Sequence, residues 1–179
     1  MTTTHSTPFA EIRATRLRDL GEVHDVHVGA FGGRLQEAAL VDLLHGANKV
    51  AASLVAVSGG RVVGHVVFSP MEIDPPRPGF NVAALGPVGV LPELQRRGIG
   101  SQLVRAGMDA CREAGVDAVA VLGAPRFYGR FGFEPASRYG LRNEYVEDEH
   151  FMILELRRGF LEAAAGLLKY APEFGAAGC

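Results

Sequence analysis

The sequence predicts an α/β fold: a single-domain, mixed and mostly antiparallel central sheet with a parallel strand–helix–strand core. It places one domain over residues 10–179 behind a disordered lead over residues 1–9. Three observations carry this. "AASLVAVSGGRVVGHVVFSP" sets two β-branched runs around "SGG", a turn made of residues that tolerate positive φ. "GVDAVAVLG" is almost wholly apolar, as a strand buried on both faces by parallel pairing should be. Between that run and "NVAALGPVGV" stands a glycine turn, "QRRGIGS", opening a strongly patterned helix.

The elements follow in order. "AEIRATRL" alternates loosely and reads as a half-exposed first strand. Asp19 is available as an N-cap for a helix through "LGEVHDVHVGAF", with Leu20, Val23, Val26 or His27, and Ala30 at helical spacing. Gly32 and Gly33 break it, and "LQEAALVDLLHG" forms a second helix ending at Gly46. After the hairpin, "MEIDPPRPGF" is a proline-rich loop. "NVAALGPVGV" is a strand interrupted by Pro87. The long helix runs from Ile99 to about Ala114 with Ile99, Leu103, Gly107, Ala110 or Cys111, and Ala114 on its buried stripe. The strand–helix–strand unit over 82–122 must be a parallel crossover. "APRFYGRFGF" is a short aromatic helix or turn before a last pair of strands, the second in "EHFMILEL". "GFLEAAAGLLKYAPEF" suggests one more helix.

The bulk numbers narrow the function classes. A length of 179 residues suits one domain with a substantial core. A net charge of −2 argues against nucleic acid as a partner. No signal peptide and no apolar run of membrane-spanning length is seen, so the expected setting is cytoplasmic, with no membrane partner. Cys111 and Cys179 make neither a disulfide framework nor a CxxC pair. His24 and His27 have metal-ligand spacing, but no Cys or acid cluster completes a site. They read as surface or interface residues, and no metal is expected.

The glycine turn asks for a ligand. A helix N-terminus leaves backbone N–H groups unpartnered and carries partial positive charge. Glycines ahead of it let a phosphate approach without a Cβ in the way. Gln95, Arg96, Arg97, Gly98, Ile99, Gly100 and Ser101 therefore form a candidate pyrophosphate cradle. A solvated surface role for Arg96 and Arg97 is the alternative. A Walker A loop would need a lysine after Gly100, where Ser101 stands. A dinucleotide fingerprint would need a third glycine, where Leu103 stands.

The Gln/Arg-x-x-Gly-x-Gly/Ala pattern in "QRRGIG" resembles the signature of the GNAT N-acetyltransferase superfamily. "LGPVGVLPELQRRGIGSQLV" through "VLGAPRFYGRFGF" looks like that family's acyl-CoA core. "AFGGRLQEAALVDLL", "VVGHVVFSP" and "LLKYAPEF" look like a bacterial subgroup of predicted acetyltransferases. The resemblance implies the GNAT fold, acetyl-CoA as cosubstrate, and transfer of its acetyl group to a small-molecule or peptide amine. A non-catalytic acyl-CoA-binding or regulatory module on the same fold is the alternative. Homodimers are frequent in the family, and the sequence leaves the oligomeric state open. The resemblance further implies that Val88 and Val90 hold the pantetheine arm through backbone groups, as an added strand would be held. Pro87 independently suggests a bulge that splays this strand from "DAVAVLG".

Tyr128 matches the tyrosine that many such enzymes use as general acid. A phenol of ordinary pKa about 10 is protonated at neutral pH and suits a departing thiolate. The alternative is that it only packs among Phe127, Phe131 and Phe133. The accepting amine must also lose a proton, and no base is identified. Glu72 and Asp74 stand in the loop before the central strand. His65 alternates with Val63 and Val67 on one strand face, opposite Val62, Gly64, Val66 and Phe68. All three read as structural or solvated. The family's strand glutamate is missing from "NVAALGPVGV", and Gly123 stands near its frequent asparagine. The acceptor site is expected between residues 19–46 and 133–157, where Glu22, Asp25, Glu144, Glu147 and Asp148 could attract a cationic amine. "EDEH" at 147–150 reads as a solvated turn, and Cys111 as an inert core residue.

Overall fold

The structure is a computed structural model that describes residues 10–145 and 149–179. The lead over 1–9, Glu147 and Asp148 lie outside the described residues. The strands are β1 (Glu11–Ala14), β2 (Ala52–Ser58), β3 (Arg61–Asp74), β4 (Val82–Val90), β5 (Ala118–Leu122), β6 (Glu134–Pro135), β7 (Leu141–Asn143), β8 (Phe151–Glu155) and β9 (Gly166–Lys169). The helices are α1 (Leu20–Ala30), α2 (Gln36–Gly46), α3 (Ile99–Glu113), α4 (Pro125–Tyr128) and α5 (Glu173–Ala177). The sheet order is β1-β2-β3-β4-β5-β8-β6. Neighbours along it are antiparallel except β4 and β5, which α3 joins as a parallel crossover.

Each face of the sheet buries its own core. On one side α3 lays Ile99, Leu103, Val104, Met108 and Cys111 against Val66, Phe68, Ala83 and Leu85. Gly107 lets that helix sit close, for a Cβ there would come within 2.2 Å of Phe68 Cε2. On the other side α1, α2 and α5 pack Val23, Val26, Leu40, Val41, Leu44 and Phe174 against Val55, Val62 and Val67.

Two expectations about chain path change. The Met71–Asp74 segment is strand rather than loop, because Met71 pairs with Val82 and the next three residues pair with β9: Glu72 faces Lys169, and Lys169 Nζ lies 2.7 Å from Asp74 Oδ2. The tail therefore forms strand β9 and short α5 instead of one helix. β9 also runs parallel to β7, so two distant segments satisfy a backbone that local periodicity assigned to a helix.

Three smaller corrections concern side chains. Asp19 sits at the start of α1, but its side chain does not cap that helix. It accepts from both Arg13 guanidinium nitrogens, at 2.6 and 3.0 Å, and from Arg16 N at 2.7 Å. The Arg13 bond, with the Arg16 N–H, lowers its carboxyl to about 2. Val57 pairs with Val62 while Ala56 pairs with Gly64, so Val63 is an extra residue in β3. Val62 consequently joins Val67 and His65 on the α1 face, and Val63 joins the α3 core. His27, expected at the surface, is fully buried.

Candidate functional site

The site grows from the middle of β4. Val66 of β3 pairs with Val88, but Phe68 pairs with Leu85, so Gly86 and Pro87 together oppose Val67. This is a β-bulge, two residues against one. Its extra residue keeps Ala83, Leu85, Val88 and Val90 all against the α3 core, although Leu85 and Val88 are three apart. On the other edge, the β4–β5 ladder runs from Val82–Ala118 to Ala84–Ala120 and ends there. β4 continues for six residues beside no strand, while β5 keeps its pairing to β8 through Leu122.

The free edge presents defined groups. Leu91 N donates to Val63 O at 3.0 Å, across to β3. Antiparallel alternation then turns Gly89 toward β3, and turns the N–H and C=O of Val88 and Val90 toward the open side. There the Val90 carbonyl accepts from Gln95 Nε2 at 3.0 Å, a side chain standing where a strand would.

After β4 the chain makes a 3-10 turn at Pro92–Leu94 and reaches the glycines. Gly98 is the residue before the first turn of α3 and has φ +86°, a left-handed conformation that glycine adopts without strain. Its carbonyl accepts the first helical bond, from Gln102 N at 3.0 Å. Arg96 also has positive φ, at +59°. A cleft of about 360 Å³ opens here, lined by Val90, Gln95, Arg96, Gly98, Gly100 and Ser101 on one side and by Phe127 and Arg130 on the other. Ile99 also reaches it, while Arg97 is exposed beside the turn. Glycine at both positions leaves the helix N-terminus open, since a Cβ at Gly98 or Gly100 would meet nothing closer than 3.8 Å.

Tyr128 stands at the end of α4, directly after β5. Its ring meets Phe127 and Phe133 edge-on, at centroid distances of 4.9 and 5.7 Å, and lies flush on Gly123. Burial pushes its phenol up to about 12. It is thus firmly protonated, with a higher pKa than the ordinary phenol value assumed from sequence.

The acids considered for the acceptor side separate. Glu22 accepts from Val62 N, and Glu144 from Tyr170 N, so both brace backbone. Asp25 is exposed on α1. Sequence reasoning missed a cavity of about 380 Å³ on the α2 side of the bulge, with Glu37, Gly86, Pro87, Leu122, Tyr170 and Phe174 in its wall. Glu37 begins α2, whereas Tyr170 and Phe174 follow β9, and only the unforeseen β9 pairing brings them together.

The histidines serve packing. His27 Nε2 and His65 Nδ1 are 2.8 Å apart, and His65 Nε2 is 2.8 Å from Ser53 Oγ. His24 instead pairs with Asp42 at 2.8 Å. Burial lowers His27 to about 4 and drives His65 well down as well. Cys111 is buried, and burial raises its thiol to about 12. Among the described residues no group of three His, Cys, Asp or Glu side chains could hold a metal, and no helix is long and apolar enough to cross a membrane.

Comparisons with known proteins converge on one family. Residues 11–136 match the model of the acetyltransferase (GNAT) domain. The uncharacterized N-acetyltransferase YhbS of Escherichia coli K12 is 34% identical over 140 residues, covering 77% of this chain and 83% of that protein. The crystal structure of E. coli YhbS in complex with CoA superposes with a TM-score of 0.89 at 30% identity, covering 97% of this chain and 96% of the other. A GNAT acetyltransferase from Brucella melitensis in complex with acetyl-CoA gives 0.76 at 33% identity, over 92% and 97% of the two chains.

Proposed function

The chain belongs to the GNAT family of N-acetyltransferases, and we propose that its open β4 edge and glycine turn together hold acetyl-CoA for direct transfer to a primary amine. The observation carrying this is that the β4–β5 ladder stops at Ala84–Ala120 while β4 runs on, edge exposed, into the α3 N-terminus. Val88 and Val90 offer the amide-bearing pantetheine arm a strand edge that no strand covers, where the Gln95 side chain holds the Val90 carbonyl. The backbone N–H groups from Gln95 to Ser101 face the pyrophosphate, helped by the partial positive charge of α3 and by Arg96 and Arg97. The fit is sound: the turn is open, electropositive and adjacent to the strand that would hold the arm.

Acetyl-CoA supplies a thioester carbonyl, at which a C–N bond forms as the C–S bond breaks. The proton shed by the nitrogen balances the one gained by the sulfur. Tyr128 meets the sulfur with its O–H. Full transfer from a phenol near 12 to a thiolate of ordinary pKa about 8.5 is uphill. Its contribution is therefore a hydrogen bond that stabilises the departing thiolate, with the amine's own proton completing the exchange. Residues 10–179 act as one domain in this reading, in the cytoplasm, on a small-molecule or peptide amine.

A thermal-shift series with acetyl-CoA, CoA, ADP, ATP and NAD tests this on wild type and Gly98→Glu. A ligand at 100 times its Kd stabilises by about 2.7 kcal/mol, a rise of roughly 5–10 °C at this chain length. The expected result is a rise with acetyl-CoA and CoA that Gly98→Glu abolishes. A rise with ATP or NAD alone, or none at all, refutes the assignment.

A further inference from the structure

Two residues in the wall of the cavity between α2, α5 and the β4 bulge each carry an unexplained buried polar atom. Buried polar atoms nearly always have partners, and leaving one without is unfavourable. Yet Glu37 Oε2 and the Tyr170 phenol oxygen are both buried with no hydrogen-bond partner, and both residues stand in the wall of this one cavity. Arg34 occupies the other carboxylate oxygen, with Nη2 2.5 Å from Oε1, and so fixes the Glu37 head. A carboxylate oxygen only accepts hydrogen bonds, so a ligand that reaches Glu37 Oε2 must donate one. A phenol oxygen can accept as well. The rest of the wall is mostly apolar, with Leu40, Leu85, Leu122 and Phe174, and with Gln36 and Cys179 as its remaining polar side chains. Leu122 is 43% exposed, a large apolar side chain left uncovered at the end of β5.

We propose that Glu37 and Tyr170 receive the N–H groups of the acceptor, and that the acceptor is a compact primary amine with an apolar body. The assignment rests on the acetyl-transfer reading above, because it places the amine beside Gly86 and Pro87, where the strand edge opens. An amine has enough N–H donors for both oxygens and needs no further polar partner. A polyhydroxylated amine would bring hydroxyl groups that Leu40, Leu85 and Phe174 cannot satisfy. A cavity of about 380 Å³ lies toward the small end of ligand sites, which suits a single-ring or short-chain body. Glu37 and Tyr170 are thus specificity-determining residues, and Arg34 positions Glu37.

The test uses the full chain and steady-state acetylation with phenethylamine as the probe and glucosamine as the polyhydroxylated comparator. Wild type, Glu37→Gln and Tyr170→Phe are compared, each also melted with and without acetyl-CoA. The expected result is that phenethylamine is preferred. Glu37→Gln should raise its KM by about tenfold or more and Tyr170→Phe by several-fold, consistent with loss of hydrogen bonds to one partner. The KM and thermal shift for acetyl-CoA should stay as in wild type. An unchanged amine KM in both variants overturns the proposal, as does preference for glucosamine or no acetylation of phenethylamine. Those failures leave the acetyl-CoA shift intact. Failure of the underlying acetyl-transfer reading instead removes that shift from wild type itself, or leaves it while neither amine is acetylated.

Discussion

The Tyr128 ring rests on the bare Cα of Gly123 so closely that a Cβ there would lie 2.3 Å from Cε2 and 2.9 Å from Cδ2. Gly123 follows β5 directly, and the aromatic ring occupies the space that a side chain there would need. Gly123→Ala must push the ring out of its seat between Phe127 and Phe133. We expect Gly123→Ala to lower kcat by at least tenfold together with Tm. Tyr128→Phe, which keeps the ring and removes the O–H, should lower kcat with little change in Tm. Full activity in both variants would remove Tyr128 from the chemistry.

Gly107 gives a prediction of opposite sign to helix propensity. Alanine is better than glycine in a helix interior by about 1 kcal/mol, but overpacking a core is unfavourable by about 1–3 kcal/mol. Here a Cβ would lie 2.2 Å from Phe68 Cε2 and 2.6 Å from Cζ, with Phe68 itself fully buried. Gly107→Ala should therefore destabilise, by up to about 2 kcal/mol in urea titrations. Adding Phe68→Leu should recover part of the loss, and strict additivity of the two changes would show that they do not meet.

Acid should weaken the fold first through its buried histidines. His27 is held near 4 by burial and by the nearby His24, against an ordinary 6.5, and His65 moves in the same direction through burial, His27 and His45. Below pH 6.5 the unfolded chain binds protons that the folded chain refuses. Stability is thus full above about pH 7 and falls between 6.5 and 4, with His27 alone accounting for about 3 kcal/mol at pH 4. Asp19 works at lower pH. Its folded value near 2 lies below the ordinary 3.8, so its contribution is present above 3.8 and lost as pH falls toward 2. A urea midpoint that stays constant from pH 7.5 to 4.5 would contradict the histidine account.

The two thiols should differ in reactivity. Cys111 is buried with its thiol raised to about 12, while Cys179 is exposed. Alkylation of the native protein at pH 8 should mark Cys179 alone, with Cys111 reacting only after unfolding. Equal labelling rates would mean that α3 does not pack as described.

The parts legible in sequence were those with local causes. Gly98 announced its turn because only glycine takes φ +86° without strain. α3 announced most of its buried stripe through its spacing, although Ala114 is exposed and Val104 and Met108 widen the stripe, and Gly59–Gly60 marked the hairpin turn. Pro87 signalled a bulge because it cannot donate to a ladder. What escaped were contacts between distant segments. "AAAGLLKY" has the composition of a helix, and only its pairing with Met71–Asp74 and β7 makes it β9. His27 looked polar on a helix face, yet it ends up against Gly89, where a Cβ would meet its Nδ1 at 3.0 Å. Glu37 and Tyr170 are far apart in the chain, so no spacing rule could pair them.

The extra residue in β4 also makes the opening a matter of parity. Counting outward from Leu85, Val88 and Val90 keep their core side only because Gly86 and Pro87 together fill a single step. Point substitutions at the bulge can tune the gap. Deleting either residue would leave Leu85 and Val88 two apart, so plain alternation would keep Val88 and Val90 on the α3 side while the bulge disappears. The bulge therefore hangs on a single residue: a lineage could lose it in one deletion while the core on both faces kept its register.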